Sequence, residues 1–385
     1  MSSSPLLRAV CGLALLLAVL PLFTADAATT PRQLATGIAD AHLLDSHRAL
    51  AQNFDGKFSV INLDTGKALP WTLDWTPQED GWDAPLADDS ALPNFTTSAD
   101  GRLIALAFNV RTPNGAAKAA DQAPLFAVAI VLCAADGSGA RSVALAEETD
   151  GGPRLFFTQD GSLLLGPDFD PCDPGPDALR AWYQRMEQRS DGPLPAPVDA
   201  VETLSGKRVG QPDLQQADWF DKCPYSDDFY YETMDDPTLS FGRLTGPDAG
   251  VSGQFLPPKP DDEGFTQLGW AAPGLLLGWL QGRQVVLTLD GQPHSAPPGR
   301  WISYCWLRDG RSYFSRDGGK SIELGHVDWL TGKVTGAQPR PDLAFYAQPL
   351  DASGLPARLD TWRALPDGSG ALVREPAEGG LALVR

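Results

Sequence analysis

The residues best suited to recognition chemistry lie together in one short stretch. Residues 217–236, ADWFDKCPYSDDFYYETMDD, combine seven carboxylates and six aromatic rings with a single lysine. Rings bury a large rigid area in an interface, and carboxylates favour a basic partner and speed its encounter. We therefore predict an acidic, aromatic partner-binding surface, made of Asp218, Trp219, Asp221, Tyr225, Asp227, Asp228, Phe229, Tyr230, Tyr231, Glu232, Asp235 and Asp236. The alternatives are a solvated loop with packed rings, and a site for a cationic ligand or a sugar.

The sequence offers little that is typical of catalysis. Its four histidines have no metal-ligand spacing, and no G-x-S-x-G motif occurs. Carboxylate pairs for glycoside hydrolysis remain open, because 49 acidic residues provide many pairs and their separation depends on the fold. We expect a binding protein rather than an enzyme.

One loop in the sequence has a composition that suits a metal ion, and the ion that it suits is calcium. Residues 168–175, DFDPCDPG, place three carboxylates before a glycine, and calcium prefers oxygen ligands. The spacing is not that of an EF-hand, and no bidentate glutamate follows at the required distance. The sequence therefore predicts no bound cofactor, with calcium in this loop as the alternative.

The first 27 residues have the pattern of a secretory signal peptide. Arg8 precedes an apolar run over residues 12–22, and Ala25-Asp26-Ala27 is a small-x-small cleavage site. The run is too short to span a bilayer comfortably, and no later run is longer. We predict a periplasmic or secreted protein without a membrane-spanning helix.

Export allows disulfide bonds among the four cysteines that follow the signal peptide. Cys172 and Cys223 both lie in irregular sequence rich in Pro and Asp, where a crosslink would restrict the chain. Cys133 and Cys305 lie in apolar, strand-like runs. We therefore predict a Cys172–Cys223 pair, although four cysteines allow three pairings.

The net charge of the chain is −19, and no long run of Lys or Arg occurs. Such a field repels phosphate backbones and anionic membrane surfaces. The charge therefore excludes nucleic acid as a partner and favours a basic protein.

A repeated pair of hairpins predicts the fold. Apolar, strand-like runs flank a polar turn in residues 95–110, 154–166, 265–280, 301–316 and 361–374, and second hairpins follow at 58–71, 201–212, 285–296 and 326–339. Two hairpins every 40 to 65 residues are typical of propeller blades. We predict an all-β protein, a single β-propeller over residues 28–385 with about seven four-stranded blades, six to eight being allowed. The blades would begin near Leu43, Phe95, Arg154, Tyr225, Phe265, Trp301 and Leu359, and residues 41–52 would complete the short last blade.

Two motifs resemble known propellers. Leu63-Asp64-Thr65-Gly66-Lys67 and Trp329-Leu330-Thr331-Gly332-Lys333 resemble turns of secreted bacterial quinoprotein-like and surface-layer-like repeats. Residues 315–322, SRDGGKSI, resemble a single Asp-box turn of sialidase-type propellers. Both resemblances imply a fold and no chemistry, and a quinone cofactor is not expected because the regular docking tryptophans are lacking.

Residues 167–260 depart most from the repeat. Strand patterns thin out there, and residues 177–186 have the apolar spacing of a short amphipathic helix after a capping Asp. Insertions between blade strands gather on one face of a propeller, where binding surfaces are common. The sequence therefore predicts a non-enzymatic, protein-binding propeller, an inhibitor or immunity protein that masks a basic secreted partner. The alternatives are a carbohydrate-active propeller and an envelope assembly scaffold.

Overall fold

The protein is built almost entirely from β-strands. The computed structural model describes residues 30–75, 83–85, 94–111, 126–147, 154–165, 209–210, 219–233, 236–256, 266–280, 282–347, 362–375 and 379–385. These residues contain 28 strands and one short 3-10 helix, Pro341–Tyr346. None of them forms a helix long and apolar enough to cross a membrane.

The strands of the described residues form seven antiparallel sheets, apart from one short parallel pairing in the fourth. The first sheet contains β1 (Arg32–Ala35), β26 (Trp362–Ala364), β27 (Ala371–Arg374) and β28 (Leu381–Val384). The second contains β2 (Ile38–Leu43), β3 (Arg48–Asn53), β4 (Phe58–Asn62) and β5 (Ala68–Pro70). The third contains β6 (Asp83–Pro85), β7 (Asn94–Thr97), β8 (Leu103–Arg111), β9 (Phe126–Ala134) and β10 (Arg141–Glu147).

The remaining sheets follow in chain order. The fourth contains β11 (Leu155–Phe157), β12 (Leu163–Leu165) and β13 (Val209–Gly210). The fifth contains β14 (Trp219–Lys222), β15 (Asp228–Thr233), β16 (Asp236–Arg243) and β17 (Gly250–Phe255). The sixth contains β18 (Thr266–Ala272), β19 (Leu275–Leu280), β20 (Arg283–Thr288) and β21 (Pro293–Ser295). The seventh contains β22 (Ile302–Trp306), β23 (Arg311–Ser315), β24 (Glu323–Asp328) and β25 (Lys333–Pro339).

The sheets form a closed ring. One edge strand of each sheet is innermost, and strands are counted outward from it: β26, β2, β7, β11, β14, β18 and β22. Neighbouring inner strands contact one another, β2 with β7, β7 with β11, β18 with β22, and β22 with β26. Strand β2 also contacts β27 of the first sheet, which closes the circle. Six of the seven described sheets contain at least four strands. The prediction of an all-β propeller is confirmed, and the inner strands begin within a few residues of the predicted blade starts.

The chain ends meet in one sheet. Strand β1 pairs antiparallel with β28, with Arg32 opposite Leu383 and Ala35 opposite Leu381. The prediction that an N-terminal strand completes the last blade is confirmed, but the predicted segment is wrong. Residues 41–52 form parts of β2 and β3 in the next sheet, because four residues before them supply the missing edge strand.

Short turns determine the inner hairpins. Gly101, with φ +66°, follows Asp100 in the turn between β7 and β8, and a side chain there would lie 1.4 Å from the carbonyl oxygen of Leu44. Gly310, with φ +86°, occupies the matching turn between β22 and β23, and a Cβ there would make only an ordinary contact, 3.7 Å from Nδ1 of His326. Both positions need the left-handed backbone that glycine adopts without strain.

The Asp-box sequence folds as a turn between β23 and β24. Ser315 Oγ donates to Asp317 at 2.7 Å and accepts the Gly319 N–H at 2.9 Å, and Ser321 Oγ donates to Asp317 at 2.8 Å. These bonds satisfy the polar groups of the turn internally. The motif therefore shapes the backbone, as its resemblance implied.

The core lies between neighbouring sheets. Trp301, Phe314 and Trp329 pack together between the sixth and seventh sheets, and Trp301 meets Trp329 edge to face with ring centroids 5.8 Å apart. Trp301 and Trp329 are buried, as expected for strand tryptophans, whereas Trp306 is only half-buried.

The region predicted to be irregular is partly regular. Residues 219–255 form the complete fifth sheet apart from the two residues 234–235. The predicted helix at 177–186 lies outside the described residues. So does the predicted hairpin at 201–212, except for residues 209–210, which form β13 and pair in parallel with β12.

Candidate functional site

The antiparallel order of the strands gives the ring two different faces. The turn face carries the connections between first and second strands and between third and fourth strands. The crossover face carries the connections between second and third strands and the crossovers from one sheet to the next. The strands that flank 112–125 and 257–265 end and begin at the crossover face. The segment 166–208 leaves β12 at the crossover face and enters β13 from the turn-face side, because β13 is parallel to β12.

Charge is divided unequally between the scaffold and these connections. The described residues hold 24 Asp and Glu against 21 Lys and Arg. The internal segments outside them hold another 24 acidic residues against only eight basic ones. The strong negative charge of the chain therefore belongs to these internal segments, and the β-scaffold is almost neutral.

The predicted partner-binding residues lie mainly on the two inner strands of the fifth sheet. Strand β14 carries Trp219 and Asp221, and β15 runs from Asp228 to Thr233. Asp218 and Asp235 lie outside the described residues, and Asp236 begins β16. The stretch is thus a hairpin at the centre of the ring rather than a loop.

Asp227 joins the fifth sheet to the fourth. Its side chain is 4% exposed and accepts the Gln159 N–H, from the turn of the fourth sheet, at 2.8 Å. It also accepts the hydroxyl of Thr245 and lies 3.4 Å from Nζ of the buried Lys222. Burial lowers the pKa of Lys222, and the charge of Asp227 opposes that shift. Asp227 is therefore a structural anion with a full set of partners.

Asp228 is equally inaccessible, with its side chain 1% exposed. Arg243 Nε donates to one carboxylate oxygen at 2.8 Å, and Ser226 Oγ donates to the other at 2.7 Å. The guanidinium of Arg243 is half exposed, so it lies between the buried Asp228 carboxylate and the solvent at the turn-face end of the fifth sheet.

The predicted aromatic contacts are largely internal too. Phe229 is 2% exposed and stacks between Phe220 and Tyr231, with ring centroids 5.6 Å and 6.3 Å away. Tyr230 is buried and packs against Trp270 of the sixth sheet. Four of the predicted contact residues, Asp227, Asp228, Phe229 and Tyr230, are therefore buried in the scaffold. Of these, Asp227 joins the fifth sheet to the fourth, and Tyr230 packs the fifth sheet against the sixth. Partner contact by the predicted residues stays a prediction.

Asp221 and Glu232 are carboxyl groups that are largely withdrawn from solvent. Burial raises the pKa of Asp221 to about 6, against the opposing effect of Arg154 and of a 3.1 Å hydrogen bond from Trp270 Nε1. Burial also raises the pKa of Glu232. Asp221 can thus carry a proton close to neutral pH beside the central axis.

Tyr225 reaches across the inner end of the ring. It leaves the turn between β14 and β15, and its hydroxyl oxygen accepts the Trp306 N–H of the seventh sheet at 3.1 Å. The Tyr225 and Trp306 rings lie 5.6 Å apart, and burial raises the pKa of Tyr225 well above its ordinary value. This predicted contact residue therefore bridges two sheets that are not neighbours.

A charged cluster that the sequence analysis did not single out joins the first and second sheets. His42 Nε2 lies 3.1 Å from Asp40 Oδ2, and Arg363 lies 3.6 Å from Asp40 Oδ1. Burial disfavours the charge of Asp40, but His42 and Arg363 outweigh that effect and lower its pKa. The D-x-H spacing on a strand places both side chains on one face, which was a usable signal; the pairing with Arg363 was not visible in the sequence.

The cysteines of the described residues are buried. Cys133, Cys223 and Cys305 have free thiols, and burial raises the pKa of Cys223 to about 11 and the pKa values of the other two to about 12. Cys172 lies outside the described residues, so the Cys172–Cys223 pair stays a prediction. Burial of Cys133 and Cys305 agrees with their strand-like sequences.

Metal ligands do not gather in the described part of the chain, where no three His, Cys, Asp or Glu side chains form a cluster suited to an ion. The predicted calcium loop at 168–175 lies outside it.

Comparison with known proteins identifies no family: no family model matches the chain, and no curated protein matches its sequence. Solved structures of similar fold include U3-55K (9% identity, 92% of this chain and 98% of that chain, TM-score 0.47). Others are the WD40 β-propeller domain of Doa1 (11%, 93% and 97%, 0.43) and YCF48 bound to a D1 peptide (12%, 93% and 95%, 0.41). At these identities the likeness concerns the fold alone.

Proposed function

We propose that the protein is a non-enzymatic binding propeller that acts after export and uses its crossover face to hold a basic protein partner. The observation that supports this proposal is the division of charge. The described strands and turns are nearly neutral, and the internal segments between them hold 24 acidic residues against eight basic ones. Such a field attracts a basic protein over distances of about 10 Å at ordinary salt.

Masking a basic secreted toxin or hydrolase is the specific role that we propose for this binding. An inhibitor of this kind needs a rigid platform and complementary charge, and it needs no catalytic group of its own. An assembly scaffold of the cell envelope would use the same face, and the identity of the retained partner separates the two roles. Membership of the quinoprotein-like or surface-layer-like propellers is part of the same proposal and depends on the Thr-Gly-Lys turns at residues 65–67 and 331–333.

The test uses the purified mature protein as bait in the secreted and periplasmic fractions of its own source, at moderate salt. We expect one stoichiometric basic protein. A variant of the acidic segment between β17 and β18, Asp261→Asn, Asp262→Asn and Glu263→Gln, should then weaken its binding. A matched variant that changes the charge by the same amount on the turn face, Ala99→Lys with Asp248→Lys, should bind almost normally, because both positions are exposed and far from the partner. Equal effects of the two variants would contradict a specific face.

A second candidate function is acid-catalysed glycan cleavage at the central axis. It is favoured by the opposite pKa shifts of two inner-strand carboxyl groups, upward for Asp221 and downward for Asp40. Hydrolysis of a glycan panel that Asp221→Asn abolishes while the protein stays folded would support it. Activity that survives this substitution would contradict it.

A further inference from the structure

The interface between the first and second sheets lacks aromatic side chains. Its buried apolar members are only isoleucine, leucine and alanine: Ile38, Ala41, Ala49, Ala51, Ile61, Leu63, Leu365, Leu372, Leu381 and Leu383. Each of the other core clusters among the described residues contains at least one buried ring, such as Phe95 between the second and third sheets and Tyr304 between the seventh and first. An aromatic side chain buries about 150–250 Å². This interface therefore lacks the largest source of apolar stabilisation that both of its neighbours have.

Two ion pairs cross this interface. Arg363 of β26 lies 3.6 Å from Asp40 of β2, and its Nε donates to the carbonyl oxygen of Ala41 at 2.9 Å. At the turn face, Arg385 lies 3.1 Å from Asp64. In the described part of the chain, every other ion pair lies inside one sheet and its flanking turns. Both ion pairs that join two different sheets there therefore belong to this interface.

The two aspartates are held by charged groups of both sheets. The charged and titratable side chains around them are His42, His47, Arg32, Arg363, Arg385 and Asp367. Burial opposes the charge of Asp40, but His42 and Arg363 outweigh it and lower its pKa. The hydrogen bond with His47 is the largest cause of the lowered pKa of Asp64. Each carboxylate therefore stabilises the interface above about pH 4, the ordinary pKa of aspartate, and ceases to do so when acid protonates it.

A short link allows the two sheets to separate without detaching from each other. Strands β1 and β2 are joined by Thr36 and Gly37 alone. Gly37 has φ +68°, and a side chain there would meet no atom within 4 Å. Next to the link, the Ile38 N–H donates to Gly379 O of the first sheet at 2.9 Å, and opening must break this bond. Glycine changes its backbone angles at little cost, so the link can act as a hinge.

We propose that this interface is the opening point of the ring, a conformational switch that the Asp40 and Asp64 ion pairs hold closed and that high salt or acid releases. Salt weakens the attraction between partly exposed charges, whereas it does not screen the aromatic packing that holds the neighbouring interfaces. Opening exposes the aliphatic sides of both sheets while the other sheets stay folded, as cooperative local openings do. The proposal concerns the ring itself and is independent of which partner the protein binds.

A thiol placed in the interface tests the proposal, because a buried thiol reacts with a maleimide only when its surroundings open. Ala51 is fully buried in the interface core, and Ala51→Cys adds one sulfur atom there. The native Cys133 and Cys305, buried at the two neighbouring interfaces, report on opening elsewhere in the same molecule. The labelling rate of each cysteine is measured by peptide mass spectrometry at neutral pH.

Raising the salt from about 0.05 M to about 1 M should speed labelling of the introduced thiol about two- to thirty-fold and leave both native thiols unchanged. Asp40→Asn with Asp64→Asn should produce the same gain at low salt, because asparagine resembles a protonated aspartic acid and carries no charge. Salt should then have no further effect. A matched variant, Asp100→Asn with Asp309→Asn, changes the charge equally but removes ion pairs inside single turns, and its introduced thiol should react at the unchanged rate.

Equal acceleration of the introduced and native thiols would overturn the proposal, because the whole ring would then be opening. An introduced thiol that neither salt nor the double variant accelerates would also overturn it, as would one that the matched variant accelerates as much. If the double variant fails to fold, the salt series on Ala51→Cys alone decides between these results. None of these outcomes affects the proposed function, which is tested by capture of a partner.

Discussion

Removing the Asp227 carboxylate tests whether the acidic, aromatic stretch stabilises the propeller or binds a partner. Asp227→Ala leaves the ammonium of Lys222 buried without its anion and removes the acceptor for the Gln159 N–H. We expect a large loss of folding stability. Partner binding should then fall only to the extent that the folded population falls.

The expected magnitude follows from the geometry of the pair. Two unit charges 3.4 Å apart attract by roughly 5 kcal/mol at an effective dielectric constant of about 20. Lys222 keeps its hydrogen bonds to the carbonyl oxygens of Cys223 at 3.0 Å and Ser226 at 2.6 Å, which offset part of the loss. Breaking a buried pair on one side usually costs about 3–5 kcal/mol, and we expect a value in that range.

The assay is urea denaturation followed by tryptophan fluorescence and circular dichroism, at neutral pH. Asp227→Ala is compared with Lys222→Met and with the double variant, so that the cycle isolates the pair. The double variant should be more stable than Asp227→Ala, because no charge is then left buried. Asp248→Ala, an exposed aspartate of the same sheet, is the control and should change the free energy of unfolding by less than about 0.5 kcal/mol.

The structural role of Asp227 would be refuted if Asp227→Ala had the same free energy of unfolding as the wild type but no longer bound the partner. A double variant no more stable than Asp227→Ala would refute the argument from the unpaired charge.

Three further predictions concern other parts of the ring. Gly310→Ala should lower the free energy of unfolding by about 1–2 kcal/mol, because alanine is strained at a positive φ. Gly101→Ala should lower it by at least about 2 kcal/mol more, because its Cβ meets the Leu44 backbone. Similar unfolding midpoints for the two variants would contradict this prediction. Asp221→Asn should raise stability at pH 7 by about 1–3 kcal/mol, since the raised pKa of Asp221 costs the wild type stability as the pH rises from about 4 to 6; a pH profile of denaturation that falls equally in the variant would disprove the assignment. The wild type should lose folding stability below about pH 4, because protonation of Asp40 ends its pairing with His42 and Arg363, and Asp40→Asn should not show this loss. The same fall in stability at acid pH in the variant would exclude the cluster as its cause.

Local turn chemistry made most of the fold predictable. The Asp-Gly turns at Gly101 and Gly310 follow from the sequence because a tight turn needs a positive φ that few other residues adopt. The strand-like apolar runs on either side of each turn then predict the hairpins, and the regular spacing of the hairpins predicts the ring of blades. The inner strands accordingly begin close to where the repeat predicted them.

Long-range partners account for what the sequence did not reveal. Asp227 looked like part of a recognition loop, and its burial depends on Gln159, 68 residues earlier, and on Thr245. No local pattern distinguishes such an aspartate from a solvated one. Phe345 is the opposite case, an apolar residue that is exposed. The sequence around it does not distinguish an exposed phenylalanine from a core residue; only the structure shows that Leu343 is the residue that faces inward.

The pairing of β1 with β28 also determines when the molecule can be completed. A ribosome or a translocation pore releases Arg32–Ala35 before every other strand of the ring and Leu381–Val384 after them, so β1 must wait for its partner until the rest of the ring has been made. Until then the ring is an open arc with two unpaired sheet edges, each able to join a strand from another molecule. Chaperone protection is therefore most valuable just before β28 is released. Joining β28 to β1 by a short linker and opening the ring elsewhere would shift that vulnerable interval to a different pair of strands.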